Sequence, residues 1–302
     1  MTAVEATKTC EDSPAVVATP SSSVPATFGS NTLTLAWREL REAIRSRWFA
    51  LYALGFVLLG LGISYASAAS SGAAGLASFG RTTAGLTNLV LLVVPLMALT
   101  AGAGSIAGDR ERGMLAYVLS QPVSRTEVLL GKFCGLAAAL LACICIGLGA
   151  CALILALFGQ ATRPASLLWL TGLSLGLAFG MLSLGLLVST LARKASVAMG
   201  TAVFLWLMLV FATDLGLMAG TLALRLRIQT LFAFSLANPL QVFKMWSLYA
   251  ADSSLDVLGP AGLYATEQHG SWLHVIFGAC LLAWVVVPLA IAAKLFNRRN
   301  AL

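Results

Sequence analysis

The stretch that decides the fold is residues 86–132, which read LTNLVLLVVPLMALTAGAGSIA at 86–107 and continue as GDRERGMLAYVLSQPVSRTEVLLGK at 108–132. The first part is uncharged and apolar. The second part carries clustered charges, and we call it the charged island. A helix of about 20 apolar residues crosses the hydrocarbon core of a bilayer. Residues 86–107 therefore predict a membrane span, and the charged island predicts a segment that faces water.

The whole chain has the composition of a membrane protein. Hydrophobic residues make up 59% of its 302 residues, charged residues make up 10%, and the mean hydropathy is +0.90. Soluble domains have about 25% charged residues. Six uncharged runs are long enough to span a bilayer, at about residues 48–69, 86–107, 133–158, 167–190, 197–219 and 273–294. They lack strict alternation, so we predict an all-α integral membrane protein with six transmembrane helices rather than a β-barrel.

The domain organisation is a short tail followed by one membrane domain. Residues 1–31 contain Pro14, Pro20, Pro25 and a run of three serines at 21–23, but no apolar core. Such a segment cannot bury enough surface to fold, so we predict a disordered tail at 1–31 and a membrane domain at 32–302. The first apolar run is too long for the core of a secretory signal, so we expect it to remain as a membrane anchor.

The Lys and Arg residues predict the orientation, because basic residues near spans are retained on the cytoplasmic side. If both termini are cytoplasmic, most of the 19 Lys and Arg residues lie inside. Those that then remain outside are Arg81, Arg163, Arg225, Arg227 and Lys244. The net charge of +7 is explained by this bias and by attraction to anionic lipid, and it needs no nucleic acid.

A basic amphipathic segment precedes the first span. Its apolar residues recur at helical spacing, with charged residues between them; the apolar set is Leu33, Trp37, Leu40, Ile44 and Trp48. This pattern predicts a short helix on the cytoplasmic leaflet. The alternative is that the segment simply extends the first span into water.

The charged island has its own helical signals. Met114, Leu115, Val118 and Leu119 form an apolar stripe, which predicts a short cytoplasmic helix that Pro122 ends. Ser124 with Glu127 three residues later predicts a capping box for the next helix. The island is either a loop whose charges only fix the topology or a docking surface. Acidic residues contribute little to topology, so Asp109 and Glu111 favour docking.

The charged island resembles the segment after the second helix of type-2 ABC export permeases. The matching positions are Glu111 or Asp109, Gly113, Leu115, Leu119, Pro122, Ser124, Arg125, Gly131 and Lys132, with Met114 in place of the usual Thr. The resemblance implies a homodimer of permeases in the bacterial inner membrane, each pressing cytoplasmic coupling helices onto one subunit of an ATPase dimer that holds ATP and Mg. The implied coupling residues are Asp109, Arg110, Glu111, Arg112, Gly113, Arg125, Lys132, Arg193 and Lys194.

A second motif is ANPLQVFKM at 237–245. With Leu282-Ala283-Trp284, it is similar to the permeases of the nitrous oxide reductase maturation system, although Gln241 stands where an acidic residue is common. This resemblance implies a periplasmic solenoid partner and a role in assembling the reductase's copper-sulfide centre. We assign contact with that partner to Asn238, Pro239, Gln241, Phe243 and Lys244.

The outer segment that contains this motif runs from about residue 220 to 272 and has apolar runs of its own. Short outer-face helices before the last span would satisfy them. Asn238-Pro239 should divide these helices, because a residue before proline avoids helical geometry.

The sequence contains no recognisable ATPase motif or cofactor site. Gly131-Lys132 is followed by Phe133, so it cannot be a nucleotide-binding P-loop, and we predict a permease rather than an enzyme. Cys143 and Cys145 lie on different sides of a helix and cannot jointly hold a metal, so we interpret the cysteines as core residues and expect no metal; the alternative is a relay for sulfur or metal. Two other functions stay open: an exporter of a drug, lipid or polysaccharide, and a membrane scaffold that transports nothing.

Overall fold

The computed structural model describes residues 28–69, 75–121, 123–157, 164–222, 228–250 and 272–298, and in these ranges the regular structure is helical. The helices are α1 (Phe28–Arg45), α2 (Arg47–Ala69), α3 (Gly75–Glu111), α4 (Met114–Leu119), α5 (Arg125–Leu157), α6 (Pro164–Leu191), α7 (Ala195–Leu222), α8 (Ile228–Leu236), α9 (Pro239–Ala250) and α10 (Leu273–Arg298). Most of the predicted tail lies outside these ranges, and α1 begins at Phe28, shortly before the predicted domain boundary.

Six helices in the described ranges are long and apolar enough to cross a membrane, namely α2, α3, α5, α6, α7 and α10. This confirms the six predicted spans. Next to the charged island, two of them run past the predicted ends: α3 continues to Glu111, and α5 begins at Arg125. Charged residues end a membrane span without ending a helix, since Arg, Glu and Lys are good helix formers. Both helices therefore extend into the charged island.

The centre of the bundle is the contact between α3 and α6, the most extensive helix pair. Two glycines make it possible. A Cβ atom built on Gly102 would lie 2.7 Å from the carbonyl oxygen of Leu182, and one built on Gly185 would overlap the carbonyl oxygen of Leu99. The two backbones therefore touch where neither helix carries a side chain. One turn beyond, the Ser189 hydroxyl accepts hydrogen bonds from the amides of Ile106 (3.0 Å) and Ala107 (2.8 Å).

The glycines at 172, 176 and 180 lie away from this contact. A Cβ atom on Gly172 would meet nothing within 4 Å, while those on Gly176 and Gly180 would reach Leu281 and Trp284 of α10 at 3.6 and 3.5 Å. These are ordinary van der Waals distances. The closest helix approach to α6 is thus at Gly185 and not at these three glycines.

Helix α1 is separate from α2, with the break at Ser46. It packs along α5, where Gly131 and Gly135 leave room for its backbone. A Cβ atom on Gly131 would lie 2.7 Å from the Cβ of Leu35, and one on Gly135 would lie 2.6 Å from the Cβ of Glu39. The amphipathic segment is therefore a helix in its own right that is anchored to α5.

The motif at 237–245 spans the junction between two short helices. Asn238 separates α8 from α9, as predicted, and its Oδ1 accepts a hydrogen bond from the amide of Leu240 at 3.0 Å. Its Nδ2 donates to the carbonyl of Leu209 in α7 at 2.7 Å. Helix α9 then packs against α6 and α10. Asn238 thus caps α9 and ties it to α7.

Candidate functional site

One end of the bundle gathers α1, the charged island, the turn between α6 and α7, and the last turn of α10. We call it the charged end. The predicted coupling residues 109–113, 125, 132, 193 and 194 all lie there, and the side chains of 109–112, 125 and 132 make the contacts described below.

A buried ion-pair network joins three helices at the charged end. The Lys132 Nζ of α5 lies 2.6 Å from Glu39 Oε1 of α1 and 2.7 Å from Asp109 Oδ2 of α3. It also donates to the carbonyl of Ser105 at 3.5 Å. Lys132 is 4% exposed, Glu39 8% and Asp109 5%. One ammonium therefore holds two carboxylates in a place that water hardly reaches.

Arg112 forms the outer layer of this network. It contacts Asp109 Oδ1 at 3.2 Å and Glu42 Oε1 at 3.5 Å, while 63% of its side chain is exposed. The expectation that the whole island faces water is therefore wrong for Asp109 and Lys132. Lys132 pairs with Asp109 and also with Glu39, which lies far away in the sequence, and this pairing is what permits burial.

Burial also shifts the protonation of Glu39. Desolvation raises the pKa of its carboxyl above the ordinary value, and the neighbouring Lys132 lowers it in opposition. Desolvation disfavours the charged carboxylate, whereas a nearby ammonium favours it. Lys132 is therefore the group that favours an ionised Glu39 in this setting.

The end of α3 is held to the turn between α6 and α7 by two hydrogen bonds. Arg110 Nη1 donates to the carbonyl of Ala192 at 2.5 Å, and Glu111 Oε2 accepts from the amide of Ala195 at 2.9 Å. A cation thus sits at the C-terminus of α6 and an anion at the N-terminus of α7, which suits both helix dipoles. Arg193 and Lys194, between these two contacts, are exposed.

Gly113 turns the chain from α3 into α4. Its φ of 72° lies in the left-handed region, which glycine adopts without strain. Helix α4 then buries Leu115 and Val118 in a cluster with α5, α6 and α10. It presents the other side outward, with Met114 40% exposed and Tyr117 65% exposed. The apolar stripe predicted for α4 is therefore partly buried, and Tyr117 lies on the exposed face of the helix.

The start of α5 has the capping box that the sequence predicts. Glu127 Oε2 accepts from the amide of Ser124 at 2.6 Å, and the amide of Glu127 donates to Ser124 Oγ at 3.2 Å. Arg125 Nη1 donates to the carbonyl of Phe296 at 3.2 Å, in the last turn of α10. Arg125 therefore joins the island to the last span rather than standing free.

The residues predicted to contact a periplasmic partner lie at the opposite end. Asn238, Pro239, Gln241 and Phe243 are buried, and Lys244 is partly exposed. Because these four residues are buried, they could affect contact with a periplasmic partner only by positioning α9. Nearby, the Trp246 Nε1 donates to His274 Nδ1 at 2.9 Å. His269 and residues 251–271 lie outside the described residues.

The cysteines that the structure describes are Cys134, Cys143, Cys145, Cys151 and Cys280. Among the described residues Cys143 and Cys151 are buried, Cys134 and Cys145 are exposed, and no group of three or more His, Cys, Asp or Glu side chains is placed to hold a metal ion.

Two residues of the charged end were missed from the sequence. Glu39 has a signal, because it occurs with Leu35, Ala36 and Ala43 on one helical face where only small or apolar residues are expected. Tyr117 has no such signal in the sequence, since residue spacing alone does not show which side of α4 is exposed after the turn at Gly113. The network and the outer face of α4 are therefore findings of the structure.

Comparison with known proteins agrees with the geometry. The sequence profile of the family described as "ABC-2 family transporter protein" matches residues 33–301. The chain is 32% identical over 272 residues to the "Probable ABC transporter permease protein NosY" of Stutzerimonas stutzeri, covering 88% of this chain and 97% of that one. It is 33% identical over 278 residues to the protein of the same name from Pseudomonas aeruginosa PAO1, covering 88% and 98%.

Proposed function

Because this chain belongs to the ABC-2 family of transporter proteins and is an ABC transporter permease subunit, we propose that its charged end receives the work of ATP hydrolysis from a separate ATPase. The observation that carries this proposal is the outer face of α4. Tyr117 and Met114 are exposed there, and the exposed cations Arg112, Arg193 and Lys194 lie at the same end of the bundle.

An exposed tyrosine among cations is the kind of surface that a protein partner covers. Tyrosine and arginine dominate the energetics of protein interfaces. The buried network and the Arg110 and Glu111 contacts fix the end of α3 to α1, α5 and the α6–α7 turn. Helix α4 follows this end directly and packs on α5, α6 and α10. Pressure on α4 would therefore reach the membrane helices instead of being absorbed by a loose loop.

This role requires the charged end to face the cytoplasm, where ATP is. The positive-inside rule supports that orientation, with both termini inside and the protein in the bacterial inner membrane. An ATPase dimer bound to two copies of the chain would give the assembly two-fold symmetry, the commonest arrangement of homo-oligomers. Short helices α8 and α9 then face the periplasm, where α9 would position the surface for a solenoid partner.

The change Tyr117→Asp should reduce the amount of ATPase that copurifies with the permease by about tenfold or more. The reason is that an aromatic anchor is replaced by a charge that must be desolvated against the partner. The permease itself should insert and purify normally, because Tyr117 is exposed in the chain alone. Quantitative copurification from membranes measures the effect. Trp272→Asp, which also replaces an exposed aromatic residue by aspartate but lies at the opposite end of the bundle, serves as the matched control. Unchanged recovery of the ATPase with Tyr117→Asp would contradict the proposal.

The names of the two relatives support a finer proposal, that this permease serves maturation of the copper-sulfide centre of nitrous oxide reductase. Cells that lack the chain should then produce the reductase polypeptide without that centre, and Tyr117→Asp should have the same effect when expressed at normal levels. Absorption spectra and copper content of the purified reductase measure this. A fully loaded reductase from the deletion strain would reject the cargo assignment while leaving the ATPase contact intact.

A further inference from the structure

A cleft of about 930 Å³ opens beside the buried network. It lies between α1, the start of α2, the second half of α3, the start of α5 and the first turns of α7. Its volume is at the upper end of the range of about 300–1,000 Å³ that is typical of sites for small molecules. The floor is the Lys132, Glu39 and Asp109 network, in which charges are paired within the chain.

The rim of the cleft is basic. Arg38, Arg41 and Arg45 of α1 line it, and no ion pair of theirs with a carboxylate occurs in the part of the chain that the structure describes. The guanidinium of Arg41 lies 5.8 Å from the ring centre of Trp37. The acidic side chains of the cleft, by contrast, are engaged by Lys132 and Arg112. The charge left over at the rim is therefore positive.

The wall below the rim is apolar. Phe49 and Tyr52 of α2, Met97 of α3, Leu136 of α5, and Met199 and Val203 of α7 form it. Helices α2 and α7 both pack on α3 and, in the described residues, make no extensive contact with each other. The wall therefore continues into the exposed apolar surface of the two spans, which faces membrane lipid.

Two exposed tryptophans mark the level of the rim. Trp37 and Trp48 both line the cleft and are exposed, as side chains of the aromatic belt at a membrane surface are. A ligand that fits must place an anion at this level and an apolar body below it. A second copy presenting the same face would bring the three arginines against their own counterparts, since a two-fold contact pairs a patch with itself.

We propose that this cleft binds one anionic phospholipid of the inner leaflet, with its phosphate among Arg38, Arg41 and Arg45 and its acyl chains along the wall from Leu136 to Val203. The bound lipid bridges α1 to α7, which the protein itself does not join extensively. The lipid would fill the space between α1 and α7. The ATPase takes no part, so this site and the coupling role can fail independently.

The test is native mass spectrometry of the permease alone, purified in detergent and incubated with phosphatidylglycerol or with phosphatidylcholine. Wild type should retain phosphatidylglycerol in preference to phosphatidylcholine. The triple variant Arg38→Gln, Arg41→Gln, Arg45→Gln should lose about tenfold or more of that retention, because each basic residue contributes separately to holding an anionic headgroup. The matched control Arg47→Gln, Lys294→Gln, Arg298→Gln removes as much charge from exposed sites that do not line the cleft.

A second variant covers the case in which the triple variant aggregates. Val203→Trp fills the apolar wall and leaves every charge in place, so it should also lower retention of phosphatidylglycerol. Equal retention of both lipids by wild type would overturn the proposal, as would equal losses in the two triple variants. A triple variant that keeps its lipid but loses its dimer would assign the cleft to the second copy instead.

Discussion

Replacing Lys132 with methionine should lower the free energy of unfolding by about 3–5 kcal/mol, the usual cost of removing one partner from a buried ion pair. The reason is local. Glu39 and Asp109 would face each other across the space of the lost ammonium, and burial already raises the pKa of Glu39. At neutral pH the variant must either bury two unpaired carboxylates or take up a proton, and each costs stability.

Denaturant titration of the purified permease in detergent measures this change. Lys294→Met, at an exposed position of α10, is the matched control and should change the stability by about 0.5 kcal/mol or less. The compensated variant Lys132→Met, Glu39→Gln, Asp109→Asn should recover most of the loss, because the uncharged amides no longer need the ammonium. Equal effects of Lys132→Met and Lys294→Met would show that the network does not stabilise the fold.

The change Gly185→Val should cost about 3 kcal/mol or more. The two branches of valine would enter the backbone of α3 at the Leu99 carbonyl and at Gly102, where no side chain can move aside. Helices α3 and α6 would have to separate, and the Ser189 contacts with Ile106 and Ala107 would stretch with them.

The matched control is Gly172→Val, the same substitution in the same helix at a position where an added Cβ meets nothing within 4 Å. It should leave the stability within about 0.5 kcal/mol of wild type. The same titration compares the two variants. Similar losses from both would mean that the cost at Gly185 does not come from a clash with α3.

The fold was largely predictable from the sequence because it depends on patterns that are local. Uncharged runs of bilayer length predict spans whatever their neighbours, and all six are present. The Ser124 and Glu127 capping box and the break at Asn238 were predictable for the same reason, since their partners are two or three residues away.

The candidate site was predictable only in outline. Residue 108 onward was recognisable as an important segment, but Asp109 and Lys132 read as exposed charges because nothing in the sequence shows that Lys132 pairs with Asp109 and with Glu39, which precedes the first span. Nothing local indicates that α1 lies along α5, since that contact depends on Gly131 and Gly135 meeting Leu35 and Glu39 from another helix. Long-range pairing of this kind is visible only in three dimensions.

The position of Lys132 has a consequence for how motion is shared at the charged end. Three helices meet at a single ammonium, so α1, α3 and α5 cannot tilt there independently without separating opposite charges in a dry place. Helices α1, α3 and α5 therefore move together at this end as one rigid unit. Helix α2, which begins after the break at Ser46, contributes no residue to this network, so α1 can follow α3 and α5 without α2 being tied to the same ammonium.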